Sequence, residues 1–214
     1  MKAIIFDLDG VLVHTDDLHF LAWKKLADNL GIPFDRTINN RLRGVSRMDS
    51  LEIILEKSAV QYTQEQKIAF AEEKNETYKT LLAKMSPADV SDEVLQTLSA
   101  LKTQGWKLAV GSGSKNAPFI LQQVGLQNFF HAVTSGNEIT HGKPNPEVFL
   151  NAAAKLGEAP QNCIVVEDAQ AGIEAALAGN MTAVAIGDAV KCQKAHFNLS
   201  TFADLISVAQ QLAD

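Results

Sequence analysis

Two aspartates, Asp7 and Asp9, follow directly on the apolar run Ala3-Ile4-Ile5-Phe6, and Gly10 comes next. On an extended backbone this spacing points both carboxylates to the same side, and the glycine lets the chain turn sharply behind them. One carboxylate can attack a phosphoryl group to give an acyl phosphate while its neighbour moves a proton to or from a substrate hydroxyl. An anion attacking an anionic phosphate must overcome repulsion, so the chemistry requires a hard cation such as Mg2+ held by oxygen ligands. Asp7, the backbone carbonyl of Asp9, and Asp168 can supply those ligands, with Glu167 binding directly or orienting the others. In the stretch Gly111-Ser112-Gly113-Ser114-Lys115-Asn116, Ser112 and the neighbouring amides can donate to phosphoryl oxygens. Lys143, between Gly142 and Pro144, can neutralise charge. The expected site therefore gathers Asp7, Asp9 and Asp168 around one cation, with Ser112 and Lys143 facing them across an anion-sized gap.

Each of these signals alone has a plainer reading. An acidic pair after a strand is often a solvated turn, Ser-Gly-Ser a turn or helix cap, and a single lysine a surface charge. Glu167-Asp168 could simply cap the helix after it. What favours chemistry is their conjunction, each at the end of an apolar run and in a consistent order.

The elements that must position these residues are short apolar runs at Ala3–Phe6, 107–110, 163–166 and 182–186, each ended by polar or glycine residues. Such runs read as parallel strands buried on both faces. Helix-like stretches at 118–124, 146–156 and 171–178 alternate with the later runs, as in a doubly wound α/β sheet whose ligands bind beyond the carboxyl ends of the strands. Lys143 is expected to open the helix over 146–156. After the first run no second strand follows. Residues 16–83 read instead as successive helices: one capped by Asp16 and ending at Gly31, one carrying Leu51, Ile54 and Leu55, and one over 68–82. A helical insertion over 15–85 thus divides a core made of 1–14 and 86–214. The Ser86-Pro87 step marks the return, because a residue before proline is biased out of the helical region.

With 214 residues, 46% of them hydrophobic, the chain can bury a substantial core. A net charge of -6 disfavours a general nucleic-acid binder. Cys163 and Cys192 form no paired metal-ligand motif and read as structural thiols. The first apolar run is cut short by Asp7, too early for a signal-peptide core, and no stretch approaches the roughly 20 apolar residues of a membrane span. A soluble, cytoplasmic protein is expected, with no membrane or nucleic-acid partner.

The sequence strongly resembles the haloacid dehalogenase superfamily of phosphotransferases through FDLDGV at 6–11, the serine Ser112, GKP at 142–144 and VEDAQAG at 166–172. It is similar to the sugar-phosphate mutases within that superfamily over nearly its whole length. That narrower likeness lies in the stretch from His19 to Trp23, GVSR at 44–47, Lys74-Asn75, SPADV at 86–90 and GSGSKN at 111–116. The resemblance implies a Rossmann-like α/β core with a parallel sheet and an inserted, mobile α-helical cap whose closure excludes water. It implies that Asp7 carries the phosphoryl group, that Asp9 is general acid and base, and that Mg2+ is the cofactor. Arg47 with Gly44, Val45 and Ser46 should grip the distal phosphate of the substrate from the cap, and Ser114, Lys115 and Asn116 from the core. His19 is expected to couple sugar binding to Asp9, with Trp23 and Lys74 lining the cap side and Thr15 at the hinge. The implied reaction interconverts β-D-glucose 1-phosphate and glucose 6-phosphate through a β-glucose 1,6-bisphosphate, in a monomer; the alternative is a sugar-phosphate phosphatase. Two departures stand out. His14 occupies the position before the hinge threonine where the family has an acidic residue, and Gly113 replaces a common Ala or Ser.

Overall fold

The computed structural model describes residues 3–42 and 45–213, so Gly44, one of the expected phosphate-gripping residues, lies outside the described residues. Six strands, β1 (Ala3–Phe6), β2 (Lys107–Gly111), β3 (Ala132–Thr134), β4 (Cys163–Glu167), β5 (Thr182–Ala185) and β6 (Phe197–Asn198), form one sheet in the order β3-β2-β1-β4-β5-β6. Every pairing is parallel. Nine α-helices are described among these residues: α1 (Asp16–Asn29), α2 (Arg36–Asn40), α3 (Arg47–Leu55), α4 (Gln64–Leu82), α5 (Asp92–Thr103), α6 (Ala117–Gln123), α7 (Glu147–Leu156), α8 (Gln170–Ala178) and α9 (Asp204–Gln211). The family-level expectation of a parallel α/β core holds.

Strand β1 is wholly buried because the sheet is covered on both faces. Alternation sends Ala3 and Ile5 into a cluster with Val148, Phe149, Ile173 and Ala176 of α7 and α8. Phe6 points to the other face, where its ring stacks on Phe202 at 5.9 Å. At the amino-terminal edge of the sheet two histidines extend the ladder with their rings. Leu108 donates its N–H to Nδ1 of His131, and Ala183 donates to Nδ1 of His196, each at 3.0 Å. The carboxyl-terminal edge is left to the polar residues.

Contacts divide the chain into two compact units, one built from the segments up to His14 and from Ser86 onward, the other being Thr15–Met85. The helical unit has its own core, in which Trp23, Leu26 and Ala27 of α1 meet Leu51 and Ile54 of α3, Ala71 of α4, and Ile32 and Phe34.

Several local expectations need correction. Thr15, not Asp16, occupies the N-cap position of α1, and its side chain makes no capping hydrogen bond; Asp16 is the first helical residue. An acidic residue there is favourable at the positive end of the helix, which explains why it resembled a cap in sequence. Lys143 does not open α7: the helix begins at Glu147, because Pro144 and Pro146 keep the preceding residues out of it. Strands β3 and β6, with three and two residues and mostly partial burial, lack the length to give an apolar run. Helices α2 and α9 and the well-capped α5, with Ser91 accepting from the Val94 N–H, were not read from the sequence either.

Candidate active site

The order of strands fixes where chemistry can sit. Leaving β1, the chain connects eventually to β2 on one side, while β4 lies on the other, so the crevice outside the carboxyl ends of β1 and β4 is the topological switch point of the sheet. Asp7 leaves β1 there, its N–H donating to the Val166 carbonyl at 3.0 Å. Gly10, at φ +90°, then reverses the chain, and its N–H donates to Val13. A side chain at Gly10 would run into the Asp168 carboxylate, so this glycine serves both the turn and the close approach of an acidic residue.

Lys143 binds two carboxylates at once. Its Nζ lies 2.5 Å from Oδ1 of Asp7 and 2.5 Å from Oε1 of Glu167. The ammonium side chain is 6% exposed, with its partners at 9% and 2%. The expectation of a gap between Lys143 and the aspartates is therefore not met: the groups touch, as buried charges must unless another partner intervenes. Glu167 also accepts the Ala169 N–H at 2.7 Å. Burial pushes the Asp7 carboxyl well above its ordinary range; Lys143 opposes this, while Glu167, Asp9 and Asp168 add to it. Burial lowers the Lys143 ammonium, but Asp7 and Glu167 outweigh it and hold Lys143 charged far above neutral pH.

Asp7 is thus repelled by three neighbouring carboxylates and attracted by the Lys143 ammonium, and acidic oxygen donors of this kind are what a hard divalent cation takes. Among the described residues no three His, Cys, Asp or Glu side chains stand in a ready-made metal cluster. The residues that would hold Mg2+ are Asp7, Asp9, Glu167 and Asp168, whose oxygen donors suit it by type and charge although they are not gathered into such a cluster.

Across the sheet from β4, Ser112 follows β2 and is 1% exposed. Its Oγ accepts the Ser114 N–H at 3.1 Å, and Oγ of Ser114 accepts the Asn116 N–H at 3.2 Å. These two serines fold the strand end into a compact loop over 112–116, with Asn116 buried and Gly113 and Lys115 exposed.

In the helical unit a second group is assembled. Lys74 of α4 is buried, with Nζ 2.9 Å from Nδ1 of His19 and 4.7 and 4.5 Å from the ring centroids of Trp23 and Tyr78. His19 stacks on Tyr78 with centroids 4.0 Å apart. Burial drives the His19 imidazole well below its ordinary range, and the charges of Lys74 and Arg47 push the same way. Arg47 is half-buried at the start of α3, where burial lowers its guanidinium and Glu72 and Glu76 support it. Ser46 caps that helix, accepting the Asp49 N–H at 3.2 Å, and Val45 precedes it. Thr15 is buried ahead of α1. Of the residues expected from sequence, the structure joins Lys143 to Asp7 and Glu167 in one unit, and Lys74 to His19 and Trp23 in the other.

Sequence reasoning missed the residues that pack against Lys143 and Glu167. The Phe149 ring lies under the Lys143 ammonium, 4.6 Å from its centroid. Gly111 leaves room for that ring: an added Cβ would meet Phe149 Cδ1 at 2.7 Å. A Cβ at Gly172 would overlap the Glu167 side chain. The glycine of VEDAQAG was visible, but its reason, a carboxylate lying over the first turn of α8, was not.

Buried acid and lysine at the switch point of a parallel α/β sheet define a class of phosphoryl-transfer enzyme. The model of the haloacid dehalogenase-like hydrolase family matches residues 1–180, and the chain belongs to that family. It is 43% identical over 189 residues to a β-phosphoglucomutase of Bacillus subtilis, covering 87% of this chain and 84% of that protein. It is 32% identical over 186 residues to a fructose-1-phosphate phosphatase of Escherichia coli, covering 85% and 94%. Among solved structures, a β-phosphoglucomutase of Clostridium difficile superposes with a TM-score of 0.92 at 36% identity, over 99% of this chain and 96% of that one. No helix among the described residues is long and apolar enough to cross a membrane.

Proposed function

We propose that the protein is a β-phosphoglucomutase, interconverting β-D-glucose 1-phosphate and glucose 6-phosphate through β-glucose 1,6-bisphosphate. In this reading a carboxylate oxygen of Asp7 attacks phosphorus. The bond to the leaving hydroxyl oxygen breaks, and Asp9 delivers the proton that this oxygen takes up. In the return step a sugar hydroxyl attacks the aspartyl phosphate, Asp9 removes its proton, and Asp7 leaves as carboxylate. Lys143 neutralises charge beside the nucleophile, and Ser112 with the loop amides donates to the phosphoryl oxygens. Asp7, the Asp9 carbonyl, Asp168 and Glu167 would hold Mg2+, which would supply charge neutralisation for the transferred group. The distal phosphate is assigned to Ser114, Lys115 and Asn116 in the core and to Arg47, with Val45 and Ser46, in the helical unit, which acts as the cap. Arginine suits that role because its planar fork bonds phosphate at two points. His19, Lys74, Trp23 and Thr15 are assigned to sugar binding and the hinge, in a cytoplasmic monomer.

The observation that carries the mutase reading is the 43% identity to the Bacillus subtilis β-phosphoglucomutase, against 32% to the Escherichia coli phosphatase over a similar length. The phosphatase remains the second reading because that relative also spans most of the chain. Purified protein given β-glucose 1-phosphate, Mg2+ and a trace of the bisphosphate should form glucose 6-phosphate in a coupled assay. Release of inorganic phosphate from several sugar phosphates, with no glucose 6-phosphate formed, would defeat the mutase reading.

A further inference from the structure

The loop over 112–116 is held from outside by a segment to which no role has so far been given. After β3 the chain passes through residues 135–138, and two consecutive donors there engage two consecutive carbonyls of the loop. The Gly136 N–H donates to the Ser114 carbonyl at 3.1 Å, and Nδ2 of Asn137 donates to the Lys115 carbonyl at 2.9 Å. Gly136 sits so close that a Cβ would overlap the Gly113 carbonyl oxygen. The Ser112 N–H, at the start of the loop, donates to the Thr134 carbonyl at 3.0 Å.

The segment is itself anchored on α7. Lys155 donates to the Glu138 carboxylate and, at 2.6 Å, to the Val133 carbonyl. Asn151 donates to the Glu138 carbonyl at 3.2 Å, and Glu138 accepts the Ser135 N–H at 3.1 Å. A continuous set of polar contacts therefore runs from α7 through 135–138 to the backbone of Ser114 and Lys115. Asn137 is solvent-exposed, so packing does not explain its carboxamide contact.

We propose that Asn137 is a positioning residue for the distal phosphate: by fixing the Lys115 peptide it sets the directions in which Lys115 and Asn116 present their side chains. This rests on the assignment of residues 114–116 to that phosphate. A residue of this kind acts on binding and not on bond making, because the contact is to the backbone of the gripping loop and not to Asp7 or Asp9. Losing one hydrogen bond of ordinary net worth converts to about a threefold to tenfold loss of affinity.

The test measures glucose 6-phosphate binding by calorimetry, and steady-state turnover, for the wild type and for Asn137→Ala, Asn137→Asp and Lys115→Ala in the full chain. Asn137→Ala should weaken binding and raise KM by about threefold to tenfold while kcat and the melting curve stay as in the wild type. Asn137→Asp loses the donor and sets a carboxylate against a carbonyl, so it should lose more. Wild-type affinity in Asn137→Ala beside a weakened Lys115→Ala overturns the proposal and leaves the loop assignment standing. Wild-type affinity in Lys115→Ala overturns both. A fall in kcat with unchanged KM in Asn137→Ala also overturns it, since that would place the effect on the chemical step.

Discussion

Lys143 offers the sharpest test of the electrostatic account. Substituting it as Lys143→Met keeps a long, flexible side chain above Phe149 and removes the charge between Asp7 and Glu167. At an effective dielectric of about 20, opposite unit charges about 3 Å apart attract by roughly 5 kcal/mol, and Lys143 has two such partners. Burying the ammonium costs several kcal/mol against that sum, and removing one member of a buried ion pair typically destabilises by about 3–5 kcal/mol. With the three side chains 6%, 9% and 2% exposed, solvent screening gives little reason to reduce that figure.

The measurement is urea unfolding at pH 7 with a chelator present, so that no divalent cation replaces the missing charge. A Trp23→Phe background leaves Trp106, 6% exposed beside β2, as the fluorescence reporter for the unit holding the site. Lys143→Met should unfold at distinctly lower urea. Asp7→Asn should be neutral or stabilising, because it relieves a buried carboxylate of its repulsion from Glu167, Asp9 and Asp168. The double variant should recover about 1–3 kcal/mol, the coupling expected of residues in direct contact. A Lys143→Met protein as stable as its parent, or single effects that simply add, would refute the claim that this lysine offsets the buried acids.

Other consequences are testable more briefly. Arg47→Ala should damage mutase turnover far more than hydrolysis of a small aryl phosphate; equal losses in both assays would remove Arg47 from the distal phosphate. Gly172→Ala should cost about 1–3 kcal/mol in urea unfolding, because the new methyl overlaps the Glu167 side chain. Thr134→Val should stabilise by about 1 kcal/mol, since the Thr134 hydroxyl is buried with no hydrogen-bond partner among the described residues and the valine is nearly the same shape. His19 is held neutral in the folded state, whereas the unfolded chain takes up a proton near pH 6.5. Stability should therefore fall as pH drops from about 6.5 towards the lowered folded value and stay level above it, and His19→Gln should lessen that slope in pH-dependent unfolding. Identical slopes would show that His19 is not held neutral.

What was legible in sequence follows the strength of the physical signal. Strands buried on both faces leave continuous apolar runs, so β1, β2, β4 and β5 could be found within one residue of their ends. Strands β3 and β6 are short and partly exposed, and what defines them is pairing with a neighbour, which a single run of residues does not display. Site residues at strand ends were readable because a charged residue interrupting an apolar run is conspicuous. The direct contact of Lys143 with the acids was not, since it depends on a partner 136 positions away in the chain. Neither was the ring of Phe149 under that lysine, because an aromatic residue on the buried face of a helix looks the same whether it fills a core or faces a cation.

The same reasoning explains why glycines surround the acids. A parallel sheet brings strand ends within about 5 Å of one another, so carboxylates on β1 and β4 compete for space with the turns that follow them. Gly10 yields its side-chain volume to Asp168 across the gap between the strands, and Gly172 yields its own to Glu167 along α8. Each acid is thereby kept near Asp7 by the absence of a methyl group elsewhere, at the cost of chain entropy in the unfolded state. Repulsion would otherwise drive these acids toward solvent. Glu167 is retained by Lys143 from one side and by the Ala169 amide from another. Glu167 is thus the junction of the arrangement: its removal would leave Lys143 to Asp7 and change the charge state of Asp7 without touching it.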